Sequence, residues 1–172
     1  MRDLPNLTLV LGGARSGKSG HAQALAEAAA PERLYIATAE PGDAEMAARI
    51  AAHRAERGPG WRTAEAPLDV TAALATAADA AVLVDCLTLW LSNLMAAEQD
   101  APAQTETLLQ AVADAAVPVV MVSNEIGLGL VPDTRLGRRF RDAQGRLNQR
   151  VAQAAGRVVF VAAGLPLTLK SG

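Results

Sequence analysis

The stretch that most limits what this chain can become is residues 12–19, GGARSGKS, entered from the apolar run at residues 7–11, LTLVL. It follows the pattern glycine, four residues, glycine, lysine, serine. In that pattern backbone N–H groups of a tight turn cradle phosphates, the lysine reaches the outer phosphates and the hydroxyl serves Mg²⁺. Gly12 and Gly17 suit such a turn, because a residue without Cβ takes positive φ cheaply and lets an anion approach the backbone. Lys18 and Ser19 then open a helix predicted over residues 19–30, whose N-terminus attracts phosphate in its own right. This strand–turn–helix context predicts a nucleoside triphosphate site; the competing reading is the same turn with no ligand.

Composition narrows the partners. The 172 residues suit one compact domain, residues 1–172, and with 51% hydrophobic and 20% charged residues the chain can bury a real core. A formal net charge of -2 argues against a strongly basic nucleic-acid binder. Lys18 and Lys170 are the only lysines, so the lysine of the loop is not one of many. A single cysteine, Cys86, cannot form an intrachain disulfide and is expected as a buried, inert thiol. The chain shows neither a signal-like N-terminus nor a bilayer-length apolar run, so a soluble, cytoplasmic protein is expected.

Strand-like runs recur at residues 7–11, 34–38, 81–84, 117–123 and 158–162, separated mostly by helical patterns. Near-continuous apolar strands alternating with helices predict an α/β fold, a mostly parallel sheet with helices on both faces. Ligands on such a sheet bind at the carboxyl ends of the strands. Those ends are Gly12 onward, Thr38 to Glu40, Asp85, Asn124 with Glu125, and Gly164. Residues 98–104 are the best candidate for a loose surface loop.

Between these strands, Pro41 and Gly42 break the chain, and Asp43 is placed to cap a helix running to about Arg57. Met46 and Ile50 lie on one side of it, while Glu45, Arg49, His53 and Arg57 form one row. Positive neighbours favour neutral imidazole, leaving a ring nitrogen of His53 free to attack phosphorus. A solvated histidine on a charged face satisfies the same pattern. His21 lies one turn past the loop, where a surface or supporting role is expected. Asp85 ends an apolar strand, a position suited to an acid that helps hold Mg²⁺, or to an ordinary strand-end acid. A helix over residues 88–97 carries Trp90 to the core or to a subunit contact. The glycine-rich loop at residues 124–132 is placed to act as a lid or substrate loop, or simply as a long connection. The helix over residues 135–155 presents Leu136, Phe140, Ala143, Leu147 and Val151 on one face. Arg135, Arg139, Arg146 and Arg150 lie on another, available to clamp phosphates or to face solvent or a neighbouring subunit.

Taken in order, GGARSGKS, YIATAE (35–40), DAEMAARIAAHR (43–54), WRTAEAP (61–67), VLVDCLTLWLSNL (82–94) and the segment from Ser123 to Ala155 resemble the bifunctional adenosylcobinamide kinase / adenosylcobinamide-phosphate guanylyltransferase family over nearly the whole chain. The resemblance implies a RecA-like fold of the P-loop NTPase type. It implies two reactions: ATP or GTP phosphorylates the aminopropanol hydroxyl of adenosylcobinamide, then GTP transfers its guanylyl group to that phosphate through a GMP-histidine. The matching histidine is His53. The resemblance places Gly12, Gly13, Ala14, Arg15, Ser16, Gly17, Lys18 and Ser19 around the triphosphate. It adds Thr38, Ala39, Glu40, Ile50, His53, Arg54, Glu65 and Asp85 to the nucleotide site, and Ser19 with Asp85 to the Mg²⁺. His53 and Lys18 are the catalytic residues it implies, and a homotrimer is the assembly.

Two rivals predict different behaviour. A small-molecule kinase without guanylyl transfer would not need His53. A nucleotide-dependent regulator or motor subunit would need an acid to activate water, for which Glu40 and Glu125 are available, and a protein or nucleic-acid partner.

Overall fold

The structure is a computed structural model and describes residues 4–40 and 57–172. The helix expected from Asp43 to about Arg57, with Ile50, His53 and Arg54, therefore falls almost wholly outside the described residues. Seven strands form one sheet among the described residues: β1 (Leu7–Gly12), β2 (Arg33–Ala37), β3 (Trp61–Glu65), β4 (Ala81–Asp85), β5 (Val119–Asn124), β6 (Arg157–Ala162) and β7 (Leu165–Ser171). Their order is β3-β2-β4-β5-β1-β6-β7, every pairing parallel except β6 with β7.

Strand alternation sorts the side chains into two layers. Leu7, Leu9, Leu11, Leu34, Ile36, Val82, Val84, Val119 and Met121 pack on one face. There they meet α2 (Val70–Leu74), α3 (Leu87–Ala96), α4 (Ala101–Asp114) and α5 (Arg135–Ala154). Val10, Leu83, Val120, Val122, Val159 and Val161 point the other way, against Ala22 and Ala26 of α1 (Lys18–Ala29). Strands covered on both faces read as continuous apolar runs, which is why β1, β4 and β5 are visible in the sequence.

Two strands are not. β3, WRTAE, has no buried residue, and β7, LPLTLKS, is exposed throughout and contains a proline. Both lie at the sheet edges, where no apolar run is required and proline is tolerated. The β6–β7 connection is a two-residue turn, Ala163–Gly164, with φ of 51° and 77°. Positive φ at both positions matches the twist of a hairpin.

Residues 98–104, expected as a loose loop, are split: residues 98–100 lie in the exposed connection after α3, whereas residues 101–104 open α4, which Asp100 caps by accepting from the Ala103 N–H at 3.1 Å and where Pro102 sits in the first turn, a place where proline costs no helical bond. Leu136 is 66% exposed, because it belongs to the first turn of α5, beyond the core. The buried face of α5 is completed by Gln144 and Asn148. Trp90 belongs to the core, its indole N–H donating to the Leu68 carbonyl at 2.8 Å. No helix among the described residues is long and apolar enough to cross a membrane.

Leu147 is 5% exposed, whereas the bidentate Arg150–Glu106 pair lies in solvent. Leu147→Ala should therefore destabilise the fold by about 2–5 kcal/mol in urea titrations. Glu106→Gln should leave the midpoint close to wild type, since exposed pairs contribute little.

Candidate functional site: a phosphate loop flanked by three strand ends

The loop between β1 and α1 is built around two glycines. A Cβ on Gly12 would collide with the Ser16 Oγ and would lie 2.6 Å from the Val161 carbonyl. Gly17, at φ 92°, caps α1 with no side-chain hydrogen bond among the described residues, and its Cβ would lie 3.2 Å from the Gly164 Cα. The hairpin turn buttresses the loop directly: the Gly164 N–H donates to the Ser16 carbonyl at 2.8 Å. Arg15, at φ 54°, is exposed at the crest with Ala14. Lys18 folds back so that its ammonium donates to the Gly13 carbonyl at 3.0 Å, closing the loop on itself. Ser16 is buried, its hydroxyl without a partner among the described residues. Among the described residues α1 thus begins with no side-chain cap at Gly17, and the first N–H groups of a helix have no acceptor within it, the arrangement that accepts an anion.

Asp85 ends β4 on the α1 side of the sheet, by alternation from Leu83. Its Oδ2 accepts a hydrogen bond from the Tyr35 hydroxyl at 3.2 Å. Burial foremost, then the charge of Asp85, pushes the Tyr35 phenol far above its ordinary pKa, so it stays a donor. The Arg57 guanidinium lies 3.7 Å from the Tyr35 ring centroid, and Trp61 meets that ring edge-on at 6.2 Å. Thr38, fully buried, locks the end of β2 to the start of α3: its Oγ1 donates to the Cys86 carbonyl and accepts from the Cys86 N–H, both at 2.8 Å. Asn93 of α3 donates to the Thr38 carbonyl at 2.8 Å. Cys86 is buried, and burial is the main cause of its raised pKa, so it is the inert thiol expected.

β5 lies between β4 and β1, so Asn124 and Glu125 stand between Asp85 and the loop. The Glu125 N–H donates to the Gly12 carbonyl at 3.1 Å. The structure therefore brings Gly12 to Ser19, Thr38 to Glu40, Asp85 and the end of β5 to one edge. Glu65 is at the same level, opposite Ala37, but on β3. At about 4.8 Å per strand it lies about 19 Å from the loop strand, at the far end of the row. Ile50, His53 and Arg54 lie outside the described residues. His21 is half-buried, and burial together with Arg157 lowers its pKa, so it is a neutral residue behind the loop. Of the arginines on α5, Arg150 is committed to Glu106. Sequence reasoning assigns no role to Tyr35 or Thr88; an aromatic in a strand and a threonine in a helix carry no signal until their partners are placed.

A family model for cobinamide kinase / cobinamide phosphate guanyltransferase matches residues 8–169. The chain belongs to this family. A bifunctional adenosylcobalamin biosynthesis protein of Pseudomonas aeruginosa is 48% identical, covering 99% of this chain and 98% of its own. A second, from Salmonella typhimurium, is 42% identical over 95% of this chain and 99% of its own. Among solved structures, a type III secretion ATPase of pathogenic bacteria superposes with a TM-score of 0.61 at 10% identity, covering 95% of this chain and 57% of that one. The flagellar accessory protein FlaH of Methanocaldococcus jannaschii gives 0.56 at 12%, covering 99% and 80%. These likenesses show the fold, that of P-loop ATPases of the RecA type. Family membership makes this an enzyme, a cobinamide kinase and cobinamide phosphate guanylyltransferase.

Gly17→Ala tests the loop. An L-residue in the left-handed region costs about 1–2 kcal/mol, and the added Cβ presses on Gly164. The expected outcome is a lower melting temperature in thermal unfolding, and a smaller rise on adding GTP than in the wild-type protein measured alongside it.

Proposed function

We propose that this chain phosphorylates the aminopropanol hydroxyl of adenosylcobinamide with ATP or GTP, and then transfers GMP from GTP to the resulting phosphate through His53. The observation that carries the reading is the family match across residues 8–169. The loop geometry supports the first step. Phosphoryl transfer is largely positioning and charge stabilisation. Lys18 and the N-terminus of α1 are placed to bind the phosphate chain. The acceptor oxygen attacks the γ-phosphorus, the bond to the β-phosphate oxygen breaks to release the nucleoside diphosphate, and the hydroxyl proton passes to solvent.

In the second step a ring nitrogen of His53 bonds to the α-phosphorus of GTP while the bond to pyrophosphate breaks. An oxygen of adenosylcobinamide phosphate then displaces the imidazole, giving adenosylcobinamide-GDP. The spacing of Glu45, Arg49, His53 and Arg57 at every fourth position of the sequence supports a neutral, nucleophilic imidazole.

The residues present suit Mg²⁺. Ser19 and Asp85 supply hard oxygen donors, and among the described residues no cluster of three or more His, Cys, Asp or Glu forms an all-protein cage. Mg²⁺ is usually held by one or two carboxylates together with substrate phosphates. It would neutralise charge on the phosphate chain, with Tyr35 orienting the Asp85 carboxylate. Thr38, Ala39, Glu40, Ile50, Arg54 and Glu65 complete the proposed nucleotide site. The assembly proposed is a homotrimer, for whose subunit contacts exposed apolar surface is available at Leu128, Leu130, Leu165 and Leu167.

Incubation with GTP labelled at the α-phosphate should leave an acid-labile label on the denatured protein, absent from His53→Ala. An unlabelled wild-type protein that still makes adenosylcobinamide-GDP would rule out the covalent route. Lys18→Ala should reduce both half-reactions by about 100-fold or more, since one loop serves both.

A further inference from the structure

Three side chains in the middle of the apolar layer under α5 make hydrogen bonds where leucines would pack. Gln144 and Ser123 are fully buried, and Asn148 is 6% exposed. The Gln144 amide donates to the Ser123 Oγ and to the Asn148 Oδ1, each at 2.9 Å, and the Ser123 hydroxyl donates to the Asn148 Oδ1 at 2.7 Å. The Asn148 amide donates in turn to the Asn124 carbonyl at 3.0 Å. Buried polar groups cost stability unless they are bonded; the Gln144 Oε1 has no partner among the described residues, and the bonded atoms of the network select one arrangement over its neighbours. What this network selects is the end of β5.

Asn124 and Glu125 are held from three directions. α5 grips the Asn124 carbonyl, the Thr88 Oγ1 of α3 accepts the Asn124 N–H at 2.9 Å, and the Gly12 carbonyl accepts the Glu125 N–H at 3.1 Å. Alternation turns Ser123 toward α5 and Asn124 toward the α1 side, where the phosphate loop opens its helix. The Asn124 Oδ1 is buried with no partner among the described residues, beside a loop whose strand it pairs with directly, Gly12 against Asn124. A purely structural tie would not need to end on the one strand that separates Asp85 from the loop.

We propose that Asn148, supported by Gln144 and Ser123, is a positioning residue that fixes Asn124 and Glu125 against the phosphate loop and so sets the geometry of group transfer. The proposal rests on the two-step function above. A displacement of about 1 Å at a reacting centre costs rate without costing binding. Asn148→Leu should therefore lower kcat of both half-reactions by about tenfold or more and change the KM for GTP by less than about threefold. Gln144→Leu should act in the same direction, more weakly, and stands in if Asn148→Leu does not fold.

The decisive comparison is the cycle of the Asn124→Ala/Glu125→Ala variant, Asn148→Leu and the variant that combines them. Because Asn148 holds the Asn124 backbone carbonyl, it acts only through the side chains it positions; the combined variant is then no slower than Asn124→Ala/Glu125→Ala alone, and losses that multiply, or a wild-type kcat in Asn148→Leu, would overturn the proposal. Amide exchange with GTP alone separates this from the assigned reactions. GTP should slow exchange at Asn124 and Glu125 in the wild type and not in Asn148→Leu, with residues 12–19 protected in both. That result in a protein inert toward cobinamide would remove the two-step function and leave the positioning role standing. Equal protection at Asn124 and Glu125 in both proteins, with turnover intact, would do the reverse.

Discussion

Backbone meets backbone at the phosphate loop with no room for a side chain. Gly12 lies under Ser16 and against the Val161 carbonyl, and Gly17 rests on Gly164, whose N–H is bonded to the Ser16 carbonyl. These contacts bind β1, the loop, α1 and the β6–β7 turn into one body. A methyl group at either glycine would force the loop away from the turn or the strand behind it.

From that body the strand order sets what stands nearest. β5 adjoins β1 and carries Asn124 and Glu125 to the loop, β4 follows with Asp85, then β2 with Thr38, then β3 with Glu65. Three of these ends are tied sideways by side chains: Tyr35 to Asp85, Thr38 to Cys86, and both Thr88 and Asn148 to Asn124. The carboxyl edge of the sheet is thus a row of braced positions, rigid enough for chemistry that depends on alignment. Rigidity here comes from short polar side chains that bond across elements, while the apolar layers beneath set only the spacing.

The central sheet and the loop are legible in the sequence, because their signals are local. Strands buried on both faces must be apolar along their length, and the glycine pattern with Lys18 and Ser19 is contiguous. β3 and β7 are not legible. An edge strand satisfies its hydrogen bonds on one side only and carries no burial requirement, so Trp61–Glu65 and Leu165–Ser171 look like loops. The inward face of α5 is half legible: Leu147 and Val151 follow the helical period, but Gln144 and Asn148 look like surface residues until their partner Ser123 is placed.

The family, the phosphate loop and the candidate nucleophile are read from the sequence alone, because each is carried by short contiguous motifs taken in their order along the chain. Which ends stand side by side is decided only by the tertiary structure. Tyr35 lies 50 positions before Asp85, and Ser123 lies 25 before Asn148. No pattern of spacing announces a pair across such separations; the sheet order creates it, and hydrogen-bond geometry within about 3 Å then makes it specific.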